Sequence, residues 1–515
     1  MIVFQRLSKA VLVVVIASAG VAASVSGCAT PAPHAAISPS AARELNRISW
    51  GINTASLQQA EAAGHASWRH DQLHPRAAVL PAAVTAQLNA MTITQQPMEQ
   101  LVADLEARRK GTDGLPTEEQ RIEARRQYQQ ELARLGREAM SRSLLMALYS
   151  PNQLQEQMTW FWANHFNVHM NKRYLRAMVG DYEERAIRPH ALGHFRDLLR
   201  ATAHHPAMLV YLDNAQNAAN RINENYAREL MELHTLGVNG GYSQKDVQEL
   251  ARILTGVGVN LGTDTPKVKP ALQAQYVRRG LFEFNPNRHD YGDKQFLGQT
   301  VKGRGLAELE EALDRLSRSP ATARFISGKL AQYFVGDTPP ETLVAGMAQT
   351  FQKTDGDIAE VLQTLFASEA FKQSLGRKFK DPMHYVVSAV RLSYDDKPIL
   401  NAGPMLGWLS RMGQPLYGRQ TPDGYPLQDT AWASPGQMTT RFDIARTIAS
   451  GSAGLFKTDG PQPLEKPAFP QLASAVYFQS IEPALSPATR QALQQAGTPQ
   501  EWNTFLLSSP EMMHR

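Results

Sequence analysis

The sequence predicts a mainly α protein: one large multi-helix body with an irregular insertion that holds one short β-hairpin. Three observations predict it. Helical periodicity, with its cap chemistry, returns from residue 40 to the last residue. No run of alternating strand and helix units occurs, which argues against a parallel α/β sheet. Hydrophobic residues make up 43% and charged residues 20% of the chain, the balance of a protein with a real core.

The N-terminus is read first. Arg6 and Lys9 form a positive region, and an apolar run without acidic residues follows over 11–23. A bilayer span needs about 20 apolar residues, so this shorter run reads as a signal-peptide core. It ends in Val25-Ser26-Gly27-Cys28, which resembles the lipobox of bacterial lipoproteins. The resemblance implies cleavage ahead of Cys28, lipidation of its thiol and acylation of its amino group. Acyl chains anchor at about 0.8 kcal/mol per buried methylene. Ala29 in place of Asp implies sorting to the outer membrane. The expectation is an exported chain held on the membrane through the lipid of Cys28, behind a signal at 1–27 and a Pro-bearing tether at 28–40.

Removing the 27 residues ahead of Cys28, two of them basic, leaves 488 residues with 51 basic and 48 acidic side chains. That small excess gives no basis for a nucleic-acid partner. Length alone allows about three domains at roughly 150 residues each, though helical bodies merge; the reading here is one body over 41–515. Cys28 is the only cysteine. Once it is acylated, disulfides, thiolate metal sites and cysteine catalysis have no residue to use.

Residues 98–137 are charge-dense, with i,i+3 pairs Glu118–Arg121 and Glu123–Arg126 on a solvated helical face and a break at 111–116. The core motif region spans 151–260. Trp160-Phe161-Trp162-Ala163-Asn164-His165-Phe166-Asn167-Val168-His169 carries apolar groups around most of a helical circumference, as buried helices do. His165 and His169 are spaced to share a face, which suits two metal ligands or core histidines bonded to carbonyls. In His204-His205-Pro206 the proline opens a helix that ends at Asp213-Asn214. Then comes Asn223-Glu224-Asn225-Tyr226-Ala227-Arg228-Glu229-Leu230-Met231-Glu232-Leu233-His234-Thr235-Leu236-Gly237.

On a helical wheel Glu224, Arg228 and Glu232 form one edge, with Asn225 and Glu229 beside it. Tyr226, Leu230 and Leu233 lie opposite, and His234 sits at the margin. One reading is an ordinary amphipathic helix with Asn223 as N-cap and Gly237 past its end. The other is a shielded carboxylate edge whose pKa values split to give an acid and a base. Ser243 and Asp246 form a variant capping box. Residues 262–304 are irregular, with Phe282-Glu283-Phe284 marking a strand of the hairpin. His289-Asp290 lies in a turn-rich stretch, as an Asx-type turn or a site pair. Helices resume over 306–378, 382–393 and 484–515. A Pro/Gly/aromatic loop spans 411–437 and contains Thr421-Pro422-Asp423-Gly424, of tight-turn composition.

These motifs resemble a large bacterial family known as domain of unknown function 1800. The resemblance rests on the Trp160-to-Phe166 run, His205-Pro206-Ala207-Met208, Leu212-Asp213-Asn214, the 223–237 segment, Tyr242-Ser243-Gln244-Lys245-Asp246-Val247, Leu254-Thr255-Gly256, His289-Asp290 with Lys294, and Ser509-Pro510-Glu511. Leu45-Asn46-Arg47 with Trp50-Gly51 adds to it, and it spans about residues 41–515. His169 falls outside the pattern. The resemblance implies export and a helical body and carries no established activity. It also implies a neighbouring exported, sulfatase-like partner, and through it work on an extracellular polymer.

Three functional readings follow. The first is an envelope enzyme that cleaves or modifies a glycan, with Glu224, Glu229, Glu232 or Asp213 as acid and base. Arg228, Asn223, Asn225, His165, His205, His234, His289 and Asp290 would bind, and surface-accessible Tyr226, Tyr425 and Trp432 would stack on sugars. In such chemistry the carboxyls stand about 5–5.5 Å apart for retention and about 6.5–9.5 Å for inversion. The second is a hydrolase using a divalent metal on His165 and the carboxylates. The third is a non-catalytic lipoprotein that binds an envelope partner.

Overall fold

The computed structural model describes residues 38–262, 264–457 and 469–515. The expected signal, Cys28 and nearly all of the tether lie outside the described residues. The described residues form one compact unit, mainly helical, with two small antiparallel sheets. No helix among the described residues is long and apolar enough to cross a membrane.

The body opens where Ser38 caps the helix Pro39–Ile48, accepting from the Ala41 amide. The charge-dense region folds as two helices, Met98–Asp113 and Glu118–Tyr149, broken where expected. Thr117 and Gln120 cap the second reciprocally. Its first turns carry the anticipated ion pairs, Arg121–Glu118 at 2.9 Å and Arg126–Glu123 at 2.7 Å. From Leu132 onward one face of it is buried, so one helix reaches from solvent into the core.

The helix Gln153–His165 is the centre of that core. Trp162, Leu154, Met158 and the adjacent Phe166 are fully buried. Trp162 Nε1 donates to the Ala191 carbonyl at 2.9 Å, which satisfies its one polar atom. The helix stops earlier than its periodicity suggests. Phe166 leaves it at φ −97°, ψ 50°. His165 and His169 therefore do not share a helical face, and the two-histidine metal reading loses its geometry.

The insertion is richer than one hairpin. Phe282–Phe284 is the middle strand of three, pairing antiparallel with Val257–Val259 and Val277–Arg279. Lys294–Phe296 and Gln299–Val301 form a separate hairpin. All five strands are three residues long, too short for an alternating pattern to register in sequence. His289, Lys294 and Glu308 pin this region: His289 Nε2 lies 3.0 Å from Glu308 Oε1, Lys294 binds Glu308 Oε2, and all three side chains are fully buried. Burial works to raise the Glu308 carboxyl, but the bonds from His289 and Lys294 hold it below its ordinary value. Asp290 pairs with Arg252 at 2.8 Å and accepts from the Gly292 amide, an Asx turn. Both residues of this expected binding pair thus hold the fold.

Candidate functional site: a half-buried carboxyl under a clamped loop

The 223–237 segment forms a shorter helix than the wheel implies, Asn225–Glu232. Asn223 Oδ1 accepts from the Asn225 amide at 3.0 Å. Asn223 Nδ2 donates to the Asp213 carbonyl and Asn225 Nδ2 to the Leu212 carbonyl, at 3.3 and 3.1 Å. The two asparagines therefore sew the start of the helix to the turn upstream. Asp213 occupies the left-handed region at φ 59°, which Asp tolerates, and its carboxylate pairs with Lys172 at 2.8 Å.

The charged edge is divided among specific partners. Glu224 pairs with Arg228 at 3.2 Å, and Gln244 bonds both, at 2.7 and 2.9 Å. Glu232 accepts from the Tyr242 hydroxyl at 3.4 Å. Arg228, 40% exposed, pairs with Glu224 alone among the carboxylates of the edge, and the edge is not shielded as expected. Glu229 differs from all of these. It is half-buried, and its carboxyl makes no hydrogen bond or ion pair among the described residues. Burial pushes its pKa up. The Glu232 charge adds to the rise, Arg228 opposes it, and Asp423 adds a further push.

Asp423 comes from the Pro/Gly/aromatic loop. Burial works to raise its carboxyl, but bonds from Arg419 and Thr421 overcome that and hold it low. Arg419 Nη2 lies 2.9 Å from Asp423 Oδ2. The loop is clamped by the end of the aromatic helix. Asn164 Nδ2 donates to the Tyr425 carbonyl at 2.9 Å, and Asn164 Oδ1 accepts from the Tyr425 amide at 2.6 Å. Asn167 Nδ2 donates to the Arg419 and Thr421 carbonyls at 3.0 and 2.8 Å. Tyr211 donates to the Gln420 carbonyl at 2.8 Å. Gly424, at φ 75°, presses on Asn164; a Cβ there would stand 2.2 Å from the Asn164 carbonyl oxygen. Tyr417, at φ 52°, holds a strained backbone while its hydroxyl bonds buried Glu183 at 2.5 Å.

Beneath the loop lies a chain of nitrogen bases. His165 Nε2 is 3.0 Å from the His234 carbonyl, and His165 Nδ1 is 3.0 Å from Lys329 Nζ. A carbonyl only accepts, so Nε2 carries the proton and Nδ1 is free to accept from the lysine. The imidazole is then neutral, as burial and the neighbouring Lys329 charge require. Burial brings Lys329 down to about 8, against an upward pull from Asp423. His234 is buried with no partner for either ring nitrogen among the described residues. Burial first, then Lys329, lowers it from 6.5 to about 3.

That depression has a pH consequence. Between 6.5 and about 3 the unfolded chain binds a proton at His234 that the folded chain refuses. Stability therefore falls as pH drops through this window and is fully present above it. His234→Phe is expected to melt with a shallower pH dependence over that range than the wild type; parallel slopes in thermal melts would count against it.

Of the other expected site residues, His205 caps the helix Pro206–Tyr211 through Nδ1 and meets Asp181 through Nε2 at 3.0 Å. Tyr226, Tyr425 and Trp432 are buried, at 1%, 8% and 6% exposure, so they cannot be the surface platforms expected for sugars. Their apolar rings serve the core and the seat of the loop. No group of three or more His, Cys, Asp or Glu among the described residues could hold a metal ion. His165 is engaged by Lys329 and the His234 carbonyl rather than gathered with carboxylates. Sequence reasoning missed Asp423, Arg419, Lys329, Tyr211, Asn164 and Asn167 as site residues. Two signals pointed to some of them: two amides flanking His165 in an apolar run, and a lysine amid the apolar residues of the helix Pro320–Phe334.

Comparison with known families adds one match. A family described as a protein of unknown function (DUF1800) matches residues 43–514. The chain belongs to that family. Its membership covers every element of the site, from the aromatic helix to the clamped loop. Comparisons with curated proteins and with solved structures give no match.

Proposed function

We propose that this DUF1800 member is an envelope-anchored enzyme that cleaves or modifies a glycan, with Glu229 as the acid and Asp423 as its ionised partner. The observation that carries the reading is the unpartnered, half-buried Glu229 carboxyl beside Glu224, Arg228 and Glu232, each of which has a partner. Two carboxyls whose surroundings push their pKa values apart are the arrangement that separates an acid from a base at neutral pH. Glu229 is raised and Asp423 is lowered. Lys329 and His165 beneath the loop add a proton-holding pair within the electrostatic reach of Asp423. The lipobox-like Val25-Ser26-Gly27-Cys28 supports a place on the membrane, on the outer one by the residue that follows. Asn223, Asn225 and the Glu224–Arg228–Gln244 triangle support the site structurally in this account.

The test is release of new reducing ends, or of unsaturated sugars, from a panel of envelope and plant polysaccharides. The wild type is expected to turn over at least one of them, and Asp423→Asn to be slower by about 10²–10⁴, the range of positioned acid–base groups. A substrate turned over equally well by Asp423→Asn would remove the loop carboxylate from the chemistry.

A further inference from the structure

A second site lies apart from the clamped loop, at the helix Pro39–Ile48. A cavity of about 300 Å³ opens there, with apolar walls from Ile52, Leu375, Leu392, Ile481 and Met512. Lys380 lines it and is 3% exposed. Its ammonium makes no hydrogen bond or ion pair among the described residues. A buried lysine without a counter-ion is costly, and it usually either loses its proton or is answered by an anion.

No neighbouring carboxylate pairs with Lys380 among the described residues. Lys380 is flanked by Arg441 and Arg515, and burial and these two charges bring its pKa down to about 7. Arg441 donates to the Lys380 carbonyl at 2.6 Å, and Arg515 to the Tyr333 carbonyl at 2.8 Å and to Gln157 at 3.0 Å. The nearby carboxylates are committed elsewhere. Asp381 bonds the amide and the ring of His384 at 2.8 and 3.0 Å. Glu511, on the cavity wall, accepts from the Ser486 amide and the Thr489 hydroxyl at 2.8 and 2.9 Å. Arg43, which donates to the Pro39 carbonyl at 3.3 Å, and Arg377 add two exposed cations to the lining, neither in an ion pair among the described residues.

We infer that this cavity binds an organic monoanion with a short aliphatic chain, its carboxylate on Lys380 and its chain on the apolar wall. Volume, apolar lining and one buried ammonium are the features of a small-ligand pocket that fixes orientation by charge. A compact inorganic anion would leave the apolar wall unfilled, and a neutral alkane would leave the ammonium unanswered. The inference is independent of the chemistry proposed for Glu229 and Asp423.

The test is isothermal titration of the mature chain with octanoate, octanol and acetate. Octanoate is expected to bind, with octanol and acetate each weaker by about tenfold or more, one charge-assisted contact's worth of affinity. Lys380→Met should weaken octanoate by about tenfold and leave octanol unchanged. Because the variant changes a buried group, a second measurement uses the wild type alone. Acetylation by an activated ester, mapped by peptide mass, should modify Lys380 near neutral pH, and octanoate should protect it. Equal binding of octanoate and octanol, no octanoate binding, or labelling of Lys380 unaffected by octanoate would each overturn the assignment.

Discussion

Trp162→Ala is expected to lower the unfolding free energy by about 3–5 kcal/mol, the range for truncating a large core aromatic. The ring is fully buried and packs on Phe161, His165, Phe166 and Phe195 at centroid distances of 4.8–6.1 Å. Truncation leaves a cavity that the neighbouring backbone cannot close, because the segment it would have to shift is the one that ends in Asn164 and Asn167. It also leaves the Ala191 carbonyl without its donor. Urea unfolding followed by fluorescence and circular dichroism checks it. A midpoint within error of the wild type would show that the aromatic helix does not hold the core. The same variant should loosen residues 419–425, read as faster amide exchange there, since the clamp hangs from the helix end.

Glu229→Gln has the largest effect expected on activity, a loss of about 10²–10⁴ in turnover, with little change in stability. The amide keeps the shape but cannot supply a proton. The carboxyl it replaces has no bonding partner to lose, and it is pressed by the charges of Glu232 and Asp423. Removing it should leave the melting temperature the same or slightly higher, as functional residues that carry repulsion do. Glu224→Gln and Glu232→Gln, which touch paired groups, should act on the local network and spare most of the turnover. A Glu229→Gln variant that melts early and turns over normally would make the carboxyl a structural group, with a cost of about 1–3 kcal/mol for a lost buried bond.

What was legible in the sequence was local. The Ser243–Asp246 capping box, the break at 111–116 and the i,i+3 pairs are set by residues within a few positions of one another, and the structure has them, whereas the helix expected to be capped by Asn223 starts one residue later, with Glu224 at the cap position. The family match and the helical body rest on the same motifs. The site's second half was not legible. Asn164 meets Tyr425 across 261 residues and His165 meets Lys329 across 164, and no periodicity encodes such contacts. Thr421-Pro422-Asp423-Gly424 read as a turn, and it is one. Its carboxylate bears electrostatically on Glu229 from a loop that Asn164 and Asn167 hold in place. The wheel failed in a different way: it treated 223–236 as one helix, whereas the helix ends at Glu232 and His234 is free to turn inward. The buried Tyr226, Tyr425 and Trp432 show the same limit, since an aromatic in a motif can serve the core as well as a ligand.

The claim that Glu229 and Asp423 sit in opposed environments is tested most directly by infrared difference titration of the carboxyl band. The wild type is compared with Glu229→Gln and with Asp423→Asn, with no substrate needed. The account predicts that the component lost in Glu229→Gln protonates above the ordinary glutamate value of 4.5, and that the component lost in Asp423→Asn protonates below the ordinary aspartate value of 3.8. Two carboxyls titrating at those ordinary values would contradict it.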